Sequence, residues 1–158
     1  MSRTEFLESG GSVCMMDFKT YHALPEEAVF IRETVFVKKQ GFAEELDDID
    51  AIATHIVLYN KESMPVATCR YFWDKELNAW VVGRIAVLKE FREKHYGTAV
   101  LHEAERQIRE NGAEKVCLAA QVRAKGFYEK IGYFAIGDEF LEEHCPHIRM
   151  CKNLKGQD

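Results

Sequence analysis

The sequence predicts an α/β domain, a mixed central β-sheet flanked by helices, and three observations predict it. Thr54–Tyr59 and Val66–Trp73 alternate apolar and polar residues about a polar turn, which is the pattern of two paired strands. The run from Trp80 to Gly112 reads as a strand, a short basic loop and a helix. Val116–Ala120 is short and wholly apolar, as expected of a strand in the middle of a sheet, covered on both faces.

The elements follow in order. Val13–Thr20 reads as a first strand. Pro25-Glu26-Glu27 opens a helix, because proline suits the first helical position and acids suit the positive first turn. Ala28, Ile31 and Val35 continue its stripe as far as Lys39, and Gly41 stops it. The β-branched and aromatic Thr34–Val37 segment argues against a regular helix, but Glu26 to Lys39 is too long for one strand. Glu44–Asp50 is an acidic loop. Asn60-Lys61-Glu62-Ser63 turns the hairpin, and Asp74–Asn78 leads into the strand Ala79–Leu88. From Thr98, the spacing of Val100, Leu101, Ala104 and Ile108 is helical, ending at Asn111-Gly112. After Val116–Ala120, Ala124–Ile131 is a helix closed by Gly132, and Tyr133–Ile136 and His147–Asn153 are the last strands. The predicted order is β-α-β-β-β-α-β-α-β-β.

With 158 residues the chain is expected to be one domain over 13–158. Met1–Ser12 is polar and ends in Gly10-Gly11-Ser12, so it reads as a flexible leader or an expression remnant. A net charge of −5 argues against nucleic acid as a partner, because a phosphate backbone needs a basic face. No apolar run approaches the length of a membrane span, so no membrane partner is expected. Cys14, Cys69, Cys117, Cys145 and Cys151 are odd in number and contain no C-x-x-C pair. They are expected to be reduced, mostly buried thiols of a cytoplasmic protein.

The basic loop carries the functional reading. A strand that ends in Arg92-Glu93-Lys94-His95-Tyr96-Gly97 where a helix begins is a place to hold a phosphate, because the first helical turn presents backbone N–H groups and partial positive charge. Tyr128, on the short helix that follows, could reach whatever is attached to that anion. His144, Cys145 and His147 suggest a zinc site, but no fourth ligand stands at ordinary spacing, and no metal is expected.

Several motifs in order resemble one family. Gly83-Arg84-Ile85-Ala86-Val87, Arg92-x-x-x-x-Gly97 and Phe127-Tyr128-x-x-x-Gly132-Tyr133 are similar to the GNAT superfamily of acyl-CoA-dependent N-acetyltransferases. Arg32-x-x-Val35-Phe36-Val37-x-x-Gln40, the acidic loop, His55, Ala120-Gln121 and Pro146-His147-Ile148-x-Met150 resemble its ElaA/YjcF-type bacterial branch. The resemblance spans roughly residues 17 to 154. It implies a GNAT fold in which a β-bulge splays two parallel strands into a V-shaped slot, with acetyl-CoA as cosubstrate.

Under that resemblance, the backbone of Ile85, Ala86 and Val87 pairs with the pantetheine arm. The amides of Glu93, Lys94, His95, Tyr96, Gly97 and Thr98 wrap the pyrophosphate with the Arg92 side chain. Gln121 stands where many relatives place a cofactor-contacting Asn, and Tyr128 protonates the departing thiolate. The first helix, the acidic loop and the C-terminal strands line the acceptor side, with Glu45, Asp50, His55 and Arg84 as substrate-binding candidates. There are two departures. His95 replaces the first glycine of the usual loop, which gives up backbone freedom and aims a side chain outward. His144-Cys145 replaces an expected Gly-Ile.

The chemistry that follows is attack of an amine on a thioester. The amine must arrive neutral, which calls for a base, and strand N–H groups near Val87 can donate to the oxyanion that forms. Val116–Ala120 offers no carboxylate. Glu45, Asp47, Asp50 and His147 are the candidates, with His147 first because an imidazole titrates near neutrality. A small-molecule or peptide amine is the expected acceptor, and a homodimer is compatible with such folds. The alternative is a non-catalytic CoA-binding regulatory module on the same fold, suggested by His95 and the missing strand carboxylate. Transfer of a longer acyl group is a third reading.

Overall fold

The structure is a computed structural model and describes residues 2–7, 13–39, 46–142 and 144–155. Eight strands form one sheet: β1 (Ser2–Leu7), β2 (Val13–Tyr21), β3 (Thr54–Tyr59), β4 (Pro65–Asp74), β5 (Ala79–Val87), β6 (Lys115–Gln121), β7 (Phe134–Glu142) and β8 (Cys145–Asn153). Their spatial order is β1-β2-β3-β4-β5-β6-β8-β7. All neighbours are antiparallel except β5 and β6, which are parallel and are joined through a helix, as a parallel pair requires. The mixed sheet flanked by helices is the predicted architecture.

The helices cover both faces. α1 (Glu26–Arg32) and α2 (Tyr96–Glu110) pack on opposite sides, and α3 (Lys125–Lys130) packs beside β6 and β7. The predicted stripe of α2 is the core stripe: Val100, Leu101, Ala104 and Ile108 are fully buried against Ile56, Leu58, Val82, Leu118 and Met150. On the other face Ala28, Ile31 and Val35 pack on Val57, Tyr59, Ala86 and Leu88. The predicted helix to Lys39 is continuous but changes character, since Glu33–Lys39 is π-helical. The irregularity falls on the β-branched and aromatic stretch that resists a regular helix.

Several expectations are corrected. Ser2–Leu7 pairs with β2, where a flexible leader was expected. It is a charged edge strand, which the adjoining Gly-rich stretch disguised. The Gly10-Gly11-Ser12 segment itself lies outside the described residues, as do Gln40, Gly41, Glu44 and Glu45. β7 runs on to Glu142 rather than stopping at Ile136. It continues through a register shift between Ile136 and Phe140, with Gly137 at φ 76°. The acidic loop contains a 3₁₀ turn, Asp48–Ala51, capped by Asp47. The expectation of reduced thiols fails at Cys117 and Cys151. They are register partners on β6 and β8 and are joined by a disulfide, a pairing that 34 residues of separation conceals in the sequence. Cys69 is a free, buried thiol and Cys145 a free, half-buried one.

Candidate active site

The slot begins where a parallel pair stops pairing. β5 and β6 are in register only from Trp80–Val82 to Val116–Leu118. Beyond that, the edge of β5 from Gly83 to Val87 has no strand partner on the β6 side among the described residues. A bulge makes the divergence. Thr68 and Arg70 face Ala86 and Gly83, so β5 carries the extra residue, and Arg84 there adopts φ 50°. A non-glycine residue held in that region is a strained feature of the kind that clusters at functional sites. The resulting cavity, of about 690 Å³, runs between β5 and β6 and is lined by Gly83, Arg84, Ile85, Gln121, Tyr128 and His147, among others. Ile85 thus reaches the slot, with Ala86 and Val87 next on the unpaired edge.

The basic loop meets the far end of β5. A 3₁₀ turn, Lys89–Phe91, leads to Arg92, whose Nε–H donates to the Val87 carbonyl at 3.4 Å. Arg92, Glu93, Lys94 and His95 are exposed. His95 is the residue before α2 and takes φ 62°, ψ 21°; Glu93 takes φ 68°. The position that usually carries glycine keeps a glycine-like backbone with histidine in place, and the imidazole lies outside. The amide of Ala99 donates to the His95 carbonyl at 3.0 Å. The amides before it, Gly97 and Thr98 among them, belong to the turn that a helix leaves without internal acceptors. Tyr96 is different, because its side chain is buried in the core and only its backbone belongs to the loop. Gly97 needs no special φ, and a Cβ there would stand 3.5 Å from Val87 Cγ2, an ordinary contact.

Tyr128 is set by α3 and the turn after it. Its carbonyl accepts the amides of Ile131 and Tyr133, both at 3.1 Å, while Gly132 supplies the φ of 102° that the turn requires. Its ring packs edge-to-face on Phe127 and Tyr133, with centroids at 5.1 and 5.8 Å. Burial, with the neighbouring Cys69 as a smaller contribution, pushes its hydroxyl up to about 12. The hydroxyl is therefore protonated at neutral pH, as a proton donor must be.

Gln121 and His147 are direct register partners on β6 and β8, and both line the slot. His147 is 5% exposed, and its ring stacks on Phe140 at 6.0 Å. Nδ1 lies 2.8 Å from the Cys145 carbonyl, which can only accept, so this nitrogen carries the proton. With a single proton on the ring, Nε2 would hold the lone pair, and it stands 3.5 Å from a Glu142 carboxylate oxygen. Glu142 was not legible in the sequence, because β7 read as ending before it.

The acidic segment divides. Asp47 lines the slot, while Asp50 and His55 are buried and are not among its lining residues. Both oxygens of Asp50 accept from Arg32, at 2.8 and 3.0 Å, and Oδ1 also accepts from Arg70 at 2.8 Å. Arg70 spans Asp47 as well, at 2.6 and 3.0 Å, and Arg84 reaches Asp47 at 3.3 Å. Burial alone would raise the Asp50 carboxyl, but the two guanidiniums hold it well below the usual carboxylate range. His55 donates from Nε2 to the Asp50 carbonyl at 3.0 Å, and burial lowers its affinity for a second proton. Asp47 and Asp50 are therefore committed to arginines, and Glu45 lies outside the described residues. Among the described residues no group of three His, Cys, Asp or Glu side chains converges as a metal site would require, and no helix is long and apolar enough to cross a membrane.

Comparison with known proteins places the whole arrangement. Residues 21–154 match the family model described as acetyltransferase (GNAT) domain. The chain is 35% identical over 131 residues to YjcF of Bacillus subtilis, named an uncharacterized N-acetyltransferase, covering 81% of this chain and 91% of that protein. Its fold matches the crystal structure of Escherichia coli ElaA with a TM-score of 0.77 at 23% identity, over 87% of this chain and 99% of the other. It also matches an aminoglycoside 6'-N-acetyltransferase solved with coenzyme A, with a TM-score of 0.67 at 14% identity, over 90% and 99%.

Proposed function

This chain belongs to the GNAT acetyltransferase family, and on that premise we propose that it moves the acetyl group of acetyl-CoA to an amine by direct attack, with both substrates bound at once. The observation that carries the reading is the unpaired edge of β5, which runs from the slot beside Tyr128 to the start of α2. The residues fit the cosubstrate. Gly83–Val87 offers a strand edge to an amide-bearing arm, and the loop Arg92–Gly97 offers amides and two cations to a pyrophosphate. Likeness to a protein solved with coenzyme A supports the same assignment.

Acetyl-CoA supplies an activated carbonyl, and the protein positions the partners and moves the protons. The amine enters from the side lined by Arg84, Gln121 and His147 and binds as the free base. His147 Nε2 takes the proton that the nitrogen sheds, with Glu142 steadying the imidazolium. The new C–N bond forms as the C–S bond breaks, and Tyr128 gives its proton to the departing sulfur. The products are an amide and a free thiol, and Tyr128 regains its proton from solvent. Amides at the freed edge near Val87 stabilise the charge that develops on the carbonyl oxygen.

The test is thermal stability with acetyl-CoA, CoA, ATP and no ligand, followed by thiol release against a panel of amines. Ligand at a hundredfold its dissociation constant adds about 2.7 kcal/mol. Stabilisation by acetyl-CoA but not ATP, with thiol released only when an amine is present, supports the reading. Stabilisation with no thiol release from any amine would favour a CoA-binding module instead.

A further inference from the structure

We propose, resting on the transferase reading above, that the acceptor is a small amine that also carries an oxyanion, a carboxylate or a phosphate, held by Arg149 at the acceptor end of the slot. The argument starts from charge. Among the described residues three guanidiniums, Arg32, Arg70 and Arg84, surround two carboxylates, Asp47 and Asp50. Arg70 is 4% exposed and lines the slot. This wall therefore keeps one buried guanidinium donor, Arg70 Nε, without an acceptor among the described residues.

The opposite wall adds a further cation. Arg149 lies on β8 two residues after His147, on the same face, and lines the slot. It has no hydrogen bond or ion pair among the described residues, whereas each slot carboxylate has a partner. Asp47 binds Arg70 and Arg84, Asp74 accepts the amides of Glu76 and Leu77, and Glu142 faces His147. A half-buried guanidinium with five donors in a fixed fork matches a carboxylate or phosphate edge. Cα atoms two apart on a strand are separated by about 6–7 Å, so the amine at His147 and the anion at Arg149 belong to one compact molecule. A polyamine would bring a second positive charge against the Arg149 guanidinium, and it is disfavoured by that repulsion.

The experiment measures thiol release from acetyl-CoA with matched amines: β-alanine against ethylamine, lysine against 1,5-diaminopentane, and phosphoethanolamine against ethanolamine. The wild-type protein is expected to prefer the anionic member of at least one pair by roughly tenfold to a hundredfold in kcat/KM. The first two pairs report a carboxylate and the third a phosphate. Arg149→Gln should erode that preference chiefly through KM, and Arg149→Lys should restore part of it. Equal turnover of both members of every pair, or a preference untouched in Arg149→Gln, would overturn the inference and leave the transferase reading standing. Absence of thiol release from all six amines, with acetyl-CoA still stabilising the protein, would bring down the transferase reading and the inference with it.

Discussion

Arg32 and Asp50 hold each other by two parallel hydrogen bonds, at 2.8 and 3.0 Å, with the arginine 1% exposed. Asp50 also accepts from Arg70, which binds Asp47 as well, so one carboxylate bridges two buried cations. Asp50→Asn keeps the shape and removes the charge. Breaking a buried pair from one side costs about 3–5 kcal/mol. The variant is expected to lose that much in urea denaturation, and a loss under about 1 kcal/mol would show that Arg32 and Arg70 find other compensation.

His55 gives the network a pH signature. Its folded-state pKa is lowered, chiefly by burial, so the native protein binds fewer protons than the unfolded chain once the pH falls below about 6.5. Its contribution is complete above that pH and is lost as the pH falls toward the folded value. Asp50, also lowered, adds a second loss that begins near pH 4. Denaturation at pH 7.5, 6 and 5 should show stability declining across the series, with a shallower decline in His55→Gln. Equal slopes in the two proteins would remove His55 from the account.

The sequence made the fold legible where the periodicity was strong. The α2 stripe, the central hairpin and the apolar β6 all stand where their patterns place them. Proximity across the sheet was not legible. Nothing in the spacing of Cys117 and Cys151 marks them as register partners, and Glu142 meets His147 only because a bulged edge strand continues past Gly137. The loop and Tyr128 could be found because they are contiguous motifs. Arg149 could not, because an arginine on an alternating strand is unremarkable until its neighbours' partners are known.

Cys117 and Cys151 predict a thiol count. A chain with five cysteines and one disulfide should show three reactive thiols when denatured without reductant, and five after reduction. The bridge closes a loop of 34 residues, for which the chain-entropy estimate is about 3–4 kcal/mol. Cys117→Ala should lower stability in that direction under oxidising conditions and much less in reductant. Five reactive thiols in the protein purified without reductant would contradict the bridge.

Tyr128→Phe removes one oxygen and keeps the ring against Phe127 and Tyr133. If the hydroxyl delivers the proton to sulfur, kcat should fall by about 10²–10⁴, with acetyl-CoA affinity nearly unchanged. Because burial pushes the hydroxyl up to about 12, wild-type activity should show no loss of this acid up to pH 10. An unchanged kcat in the variant would leave the sulfur to be protonated by water.

His95→Gly separates the backbone of the loop from its side chain. At φ 62° a side-chain-bearing residue is held where glycine is at ease, a cost of about 1–2 kcal/mol. Glycine also loses more freedom on folding, by roughly 0.5–1 kcal/mol, which offsets part of the gain. The net expectation is a stabilisation of about 0.5–1 kcal/mol, a rise of about 1–4 °C in Tm. The imidazole is exposed and the backbone already has the geometry that glycine would give, so the loop amides keep their positions. Acetyl-CoA affinity should therefore stay within about threefold, whereas losing a hydrogen bond between a charged phosphate and the ring would cost about tenfold or more. Calorimetric titration of both proteins with acetyl-CoA decides between them: near-equal affinities assign the pyrophosphate to the amides, and a large loss assigns it to the imidazole.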